Sequence, residues 1–154
     1  MPLVADTPRR DSPRAWWIAF TVCAVAAALP LLTTYRLPMA DLPQHAVQLT
    51  VWKYYNDLCY HFADNYVINW ATPYLGGVFV MHLVAAVLSV SAALKLIVYL
   101  TTLALPRAFT RFAAFRGLDP FPGLLGFPLA FGYSFFWGFI NFTLATPTPL
   151  LPPP

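Results

Sequence analysis

Apolar and polar positions fall in long blocks along this chain. Residues 15–35 (AWWIAFTVCAVAAALPLLTTY) contain no Asp, Glu, Lys or Arg, and at about 1.5 Å per residue such a run crosses a hydrocarbon core of roughly 30 Å. It predicts a transmembrane helix with Trp16 and Trp17 at its entry and Tyr35 at its exit as interfacial anchors. Pro30 is tolerated there and is expected to kink it. The run is longer than the roughly 7–15 apolar residues of a signal peptide, so it reads as a retained signal anchor. Arg9, Arg10 and Arg14 precede it, which puts residues 1–14 in a cytoplasmic tail and residue 36 onward on the outer face.

Residues 36–90 then form an outer loop. Its first half sets Arg36 and Lys53 against Asp41, Asp57 and Asp64. Val47, Val51, Tyr54, Tyr55 and Leu58 recur at helical spacing, while Asp41, His45 and Gln48 share another side. This predicts a helix lying in the interface with its aromatic side toward the lipid. The apolar region 71–106 has two readings. A hairpin of two spans, broken at Ser89 and Ser91, returns Arg107, Arg111 and Arg116 to the outside. Alternatively, 73–90 is a half-buried interfacial helix and 91–107 a single span, with Ser91 as its N-cap and Lys95 snorkelling to the outer interface. Only the second keeps those arginines in the cytoplasm, in a loop over 108–117, and we prefer it.

The last apolar segment, 118–145, is interrupted by Pro120, Pro122 and Pro128 and by Gly123, Gly126, Gly132 and Gly138. It predicts a broken or re-entrant span running outward, with the aromatic stretch 131–142 near the outer face. Irregular backbone survives at membrane depth only where protein or a water-filled cavity covers it, so this segment implies a larger assembly. Residues 146–154 are rich in proline and stop a helix; the expectation is a truncation near residue 145 of a longer chain.

Composition strengthens the membrane reading. The chain is 59% hydrophobic and only 10% charged, against about 25% charged in an ordinary soluble domain, and its mean hydropathy is +0.62. The sequence pI of about 9.0 is loop charge that orients helices, with no basic, aromatic-interleaved patch for nucleic acid. Cys23 and Cys59 lie on opposite sides of the membrane boundary and are expected as free thiols. The predicted class is therefore all-α: multi-pass transmembrane helices with amphipathic interfacial helices in the first outer loop, a fragment of a larger bundle.

Four groups of residues carry candidate chemistry. In Asp41-Leu42-Pro43-Gln44-His45, the plain reading makes Asp41 the N-cap of the surface helix, with Pro43 in its first turn and His45 solvated. The sharper reading projects Asp41 and His45, four residues apart on one helix face, into an interfacial site where the carboxylate acts as general base or holds a cation. His61 and Asp64 read as solvated loop residues or as binding groups. Together, Asp41, His45, His61 and Asp64 have the ligand types for a divalent cation, though no spacing demands one. His82 is an ionisable residue in an apolar helix, a functional suspect at depth and unremarkable at an interface. In the stretch 131–142, the polar handles Tyr133 and Asn141 are candidates for holding a sugar hydroxyl or another helix.

This arrangement resembles the start of integral-membrane glycosyltransferases of the GT-C superfamily, the group that contains the protein mannosyltransferases. Many bacterial members open their first outer loop with Asp-Glu-Pro-x-His or a relative of it, matched here by Asp41-Leu42-Pro43-Gln44-His45. The stretches NWATPYL (69–75) and FGYSFFWGFINF (131–142) also look like segments of bacterial membrane proteins grouped near these enzymes. The resemblance implies a bacterial inner-membrane protein that takes a sugar from a polyprenyl-phosphate donor and passes it to an acceptor at the outer face. Asp41 and His45 would be its catalytic residues, and His61, Asp64, Tyr133 and Asn141 its substrate-binding residues. The sequence would then be the N-terminal portion, inactive without the remaining helices of its parent chain. Leu42 stands where the motif has its second acid. A non-catalytic multi-pass protein, part of a transporter or a structural subunit, is the alternative.

Overall fold

The computed structural model describes residues 13–147; the tail 1–12 and the proline-rich end 148–154 lie outside the described residues, and with them most of the expected cytoplasmic tail and truncation. The described residues are all-α, with no strand among them. The uncharged run forms α1, Pro13–Thr33, within which Pro30 is accommodated. After α1 come α2, Leu42–Lys53, the single turn α3, Phe62–Asn65, and α4, Leu75–Val87. The long α5, Val90–Phe115, follows, then a 3-10 helix, Phe121–Leu125, and three short helices: α6, Gly126–Ala130; α7, Tyr133–Trp137; α8, Ile140–Ala145.

α1 and α5 run antiparallel. Lys95 Nζ donates to Thr34 O at 2.7 Å, Tyr99 donates its hydroxyl to Ala24 O at 3.3 Å, and the Arg107 guanidinium lies 5.4 Å from the Trp17 ring centre. Lys95 thus does more than snorkel: it satisfies a carbonyl left over at the end of α1, where a cation is favoured. Two helices, Arg14–Thr33 and Val90–Phe115, are long and apolar enough to cross a membrane. On α1 the buried side chains Trp16, Phe20, Ala24, Ala27 and Leu31 occupy one face, while Ile18, Val22, Val25, Leu29 and Leu32 stand exposed on the other. A helix that is apolar on every side suits a lipid surrounding.

The 13 residues of α4 extend only about 20 Å, short of a full crossing, so the region 71–106 does not form two equal spans. It forms a short helix followed by one long helix. That long helix begins at Ser89, not Ser91, because it is the Ser89 hydroxyl that accepts the Ala92 N–H, at 3.2 Å. Nor does it stop at residue 107. Pro106 is buried inside it, and the residues expected as a loop stay helical to Phe115. The reason is tertiary. The 3-10 helix and α6 turn back along α5 and bring Gly126 so close to the Pro106 backbone that a Cβ there would collide with it, and a helix end at Pro106 would lose that contact.

The surface helix also differs from its sequence pattern. It ends at Lys53, so Tyr54, Tyr55 and Leu58 lie beyond it. Its buried face is Leu49, with Leu42 and Ala46 packed alongside, against Met81 of α4 and Leu94, Ile97 and Val98 of α5. Trp16, expected as an interfacial anchor, instead packs inward against Phe20, with ring centres 5.0 Å apart. The two core clusters sit at opposite ends of α1, and the one around Leu31, Leu49 and Phe135 forms the floor on which the candidate site rests.

Candidate functional site

The motif at 41–45 is fixed in place by the far end of the chain. Ala40 N donates to Phe136 O at 2.9 Å and Asp41 N to Trp137 O at 3.0 Å, and His45 Nε2 donates to Gly138 O at 3.3 Å. Three successive carbonyls at the end of α7 therefore receive the entry to α2. The chain can present them because Gly138 adopts a φ of 80°, in the left-handed region that glycine reaches without penalty. Space is tight as well, since a Cβ would lie 3.1 Å from Asp41 N and 3.3 Å from Asp41 Cβ.

Asp41 occupies the N-cap position of α2, with Pro43 in the first turn, yet its side chain makes no capping hydrogen bond. The expected cap is absent because the residue sits at φ −89°, ψ −3°, outside the extended conformation that aims an N-cap oxygen back at the helix. Asp41 instead lines a cleft of about 930 Å³. One wall is Asp41, Gln44, His45 and Gln48 of α2; another is the segment 66–75 with Tyr66, Asn69 and Tyr74; the third is the turn from Gly138 into α8, with Phe139 and Asn141. Asp41, His45 and Gln48 line this cleft together, but Val47 and Val51, expected on the other side of the helix, line it too.

Unpartnered buried polar atoms concentrate here. His45 Nδ1 and Asn141 Oδ1 are buried without a hydrogen-bond partner. So is His82 Nδ1, whose ring stacks on Trp52 of the cleft wall with centres 4.7 Å apart. Such atoms cost about 1–3 kcal/mol each when left unmet; the other one among the described residues, Trp16 Nε1, lies away from the cleft in the second core cluster. The Asn141 amide lies across Gly77 of α4, in the space where a Cβ would be.

No family model matches the chain, and neither a curated protein nor a solved structure does. The functional reading therefore rests on the site itself.

The sequence-predicted site residues divide. Asp41, His45 and Asn141 meet in the cleft. Tyr133 lines a separate, smaller cavity. His61 and Asp64 lie outside both: His61 Nδ1 donates to Asp64 Oδ2 at 3.1 Å, with the two side chains 68% and 73% exposed. The four-residue metal centre is not formed, since no group of three or more metal-ligating side chains comes together among the described residues. The cleft supplies Asp41 and His45 alone. Leu42 points away from the cleft into the core around Leu49, so a second acid there would face the core cluster and not the ligand. Gly138, Gln44 and Asn69 stand in the stretches singled out in the sequence but were not legible there as site residues. An isolated glycine among aromatics signals a turn, and that was the one available hint to Gly138.

Proposed function

We propose that the chain forms the outer-face site of a membrane-embedded glycosyltransferase that passes a sugar from a polyprenyl-phosphate carrier to an acceptor hydroxyl. In this reading α1 and α5 cross a bacterial inner membrane, the N-terminus is cytoplasmic, and the segment 118–145 joins further helices of a longer parent chain. The arginines at 9, 10 and 14 and at 107, 111 and 116 favour that orientation.

The observation that carries the reading is the cleft's chemistry: one carboxylate, Asp41, in a lining that combines carboxamides and aromatic rings with aliphatic side chains such as Val47, Val51, Ile68 and Val78. Amides both donate to and accept from hydroxyl groups, and aromatic faces cover the apolar face of a sugar, so the lining suits a neutral polyhydroxylated ligand. Asp41 takes the proton of the acceptor hydroxyl as its oxygen attacks the anomeric carbon. The bond from that carbon to the carrier phosphate breaks, and the phosphate leaves with the electron pair. Gln44, Gln48 and Asn141 hold sugar or acceptor hydroxyls. No Arg or Lys is among the described residues that line the cleft, so the carrier phosphate docks outside it, at headgroup level.

General-base catalysis contributes about 10²–10⁴ in rate. In membranes carrying the full-length protein, Asp41→Asn is expected to lower transfer of labelled sugar from a polyprenyl-phosphate donor by about 100-fold or more. Unchanged transfer would remove Asp41 as the base. A second reading, a non-catalytic multi-pass protein such as part of a transporter, draws on the segment from Phe121 to Ala145, which is broken into four short helices, because discontinuous helices also build transport sites. In that case Asp41→Asn alters ligand binding with no turnover to lose.

A further inference from the structure

At the end of the α1–α5 pair away from Lys95, the two antiparallel helices gather arginines. The Arg107 guanidinium lies 5.4 Å from the Trp17 ring centre, within the range at which an aromatic face attracts a cation. Arg111 follows Arg107 by one turn of α5, and Arg14 precedes Trp17 by about one turn of α1. Because the helices run in opposite directions, both steps lead the same way along the axis, and the three arginines fall within about two turns of it. Their setting is firm. The 3-10 helix packs on both α1 and α5, and in the core beside them Trp16 stacks on Phe20 and Phe20 meets Phe127, with ring centres 5.0 and 5.2 Å apart.

No carboxylate answers these arginines among the described residues, whose one ion pair joins His61 to Asp64. Asp119, which follows α5, accepts the Phe121 N–H at 3.0 Å. A contact with a ring face leaves the guanidinium N–H donors free, and like charges four apart on a helix repel one another, so this end of the pair favours an anion. Its surface is apolar as well: Trp17, Ile18, Phe112 and Phe115 are exposed beside the three exposed arginines. A small free anion would leave those side chains in water. An anionic headgroup with acyl chains attached covers both, and basic pockets between membrane helices bind such headgroups.

We propose that this end of the α1–α5 pair binds an anionic phospholipid, its phosphate held by Arg107, Arg111 and Arg14 and its chains laid along the exposed apolar face of α1. The inference rests on α1 and α5 crossing a membrane and not on sugar transfer. It is tested by thermal unfolding of the full chain in nanodiscs of phosphatidylcholine with rising fractions of phosphatidylglycerol. Phosphatidylglycerol is expected to raise the melting temperature by several degrees in a saturable manner, as a ligand of the folded state must. Arg107→Gln is expected to shift the midpoint of that rise upward by about fivefold or more; Arg111→Gln makes the same test and serves if Arg107→Gln does not fold. Arg36→Gln is the control, because Arg36 also lies over a ring, 5.9 Å from the centre of Tyr35, past the other end of α1. It removes the same charge and is expected to keep the original midpoint. Equal melting in the two lipids overturns the proposal, as does a response that all three variants alter alike or all retain. A rise with inorganic phosphate in phosphatidylcholine discs that matches the rise with phosphatidylglycerol overturns the lipid as occupant. A chain that stays folded and monodisperse with neither lipid nor detergent removes the membrane premise, and the site with it.

Discussion

At Gly138 two constraints meet: a φ of 80° and an approach that would set a Cβ 3.1 Å from Asp41 N. A non-glycine residue in such a backbone region costs of order 1–3 kcal/mol. Gly138→Ala is therefore expected to lower stability by at least about 1 kcal/mol and to loosen His45 from its carbonyl, read by thermal unfolding in detergent. Gly76→Ala is the control: a Cβ there meets nothing within 4 Å, and exchanging a helical glycine for alanine stabilises by up to about 1 kcal/mol. An equal loss in both variants would deny Gly138 its special place. The pairing of Asp41 with His45 was legible in the sequence because it is local, set by four residues of helix. The role of Gly138 was not, because it depends on a contact with His45 across 93 residues of chain. Nor was the absence of an Asp41 cap legible, since the docking of Asp41 N on Trp137 O accompanies a backbone conformation that local sequence does not reveal.

Helix ends in this chain are closed by lysines from other elements. Lys53, the last residue of α2, donates to Ala85 O at 2.6 Å and to Leu88 O at 3.0 Å, meeting carbonyls that α4 leaves open. It does for α4 what Lys95 does for α1. Lys53→Met keeps the apolar stem and removes the donor; about 1 kcal/mol of stability is expected to go with it, and an unchanged melting temperature would show that water serves α4 as well. The existence of α1, α2 and α5 was readable from charge-free runs and spacing. Their limits were not, where another element decides them. α5 runs on past Pro106 because Gly126 packs on that residue and Thr110 donates its hydroxyl to Pro106 O at 2.8 Å. The buried face of α2 is chosen by what α4 and α5 present to it, Leu49 and not the tyrosines beyond Lys53.

For the molecule as a whole, the proposed orientation puts the loop after α1 on one side of the membrane and the end of α5 on the other. The two native cysteines make this measurable, because both are free and Cys59 is exposed. Cys59 is expected to react with a membrane-impermeant maleimide applied to intact cells or spheroplasts, whereas a cysteine introduced by Arg111→Cys, with Cys59 replaced by serine, reacts only with permeant reagents. The reverse pattern would invert the topology. The all-α class was legible from composition and block pattern alone, but the cleft was not, because its walls come from three separate stretches of sequence that only tertiary packing unites. The bonds that Phe136, Trp137 and Gly138 accept from residues 40, 41 and 45 also set a schedule. Domains assemble as the chain emerges from the ribosome, N-terminal parts first, so residues 40, 41 and 45 emerge well before their partners at 136 to 138. Until then the entry to α2 lacks the carbonyls that orient it, and Asp41 and His45 have no fixed stance. The site therefore matures only after the aromatic stretch has emerged, and α2 alone does not suffice to form it.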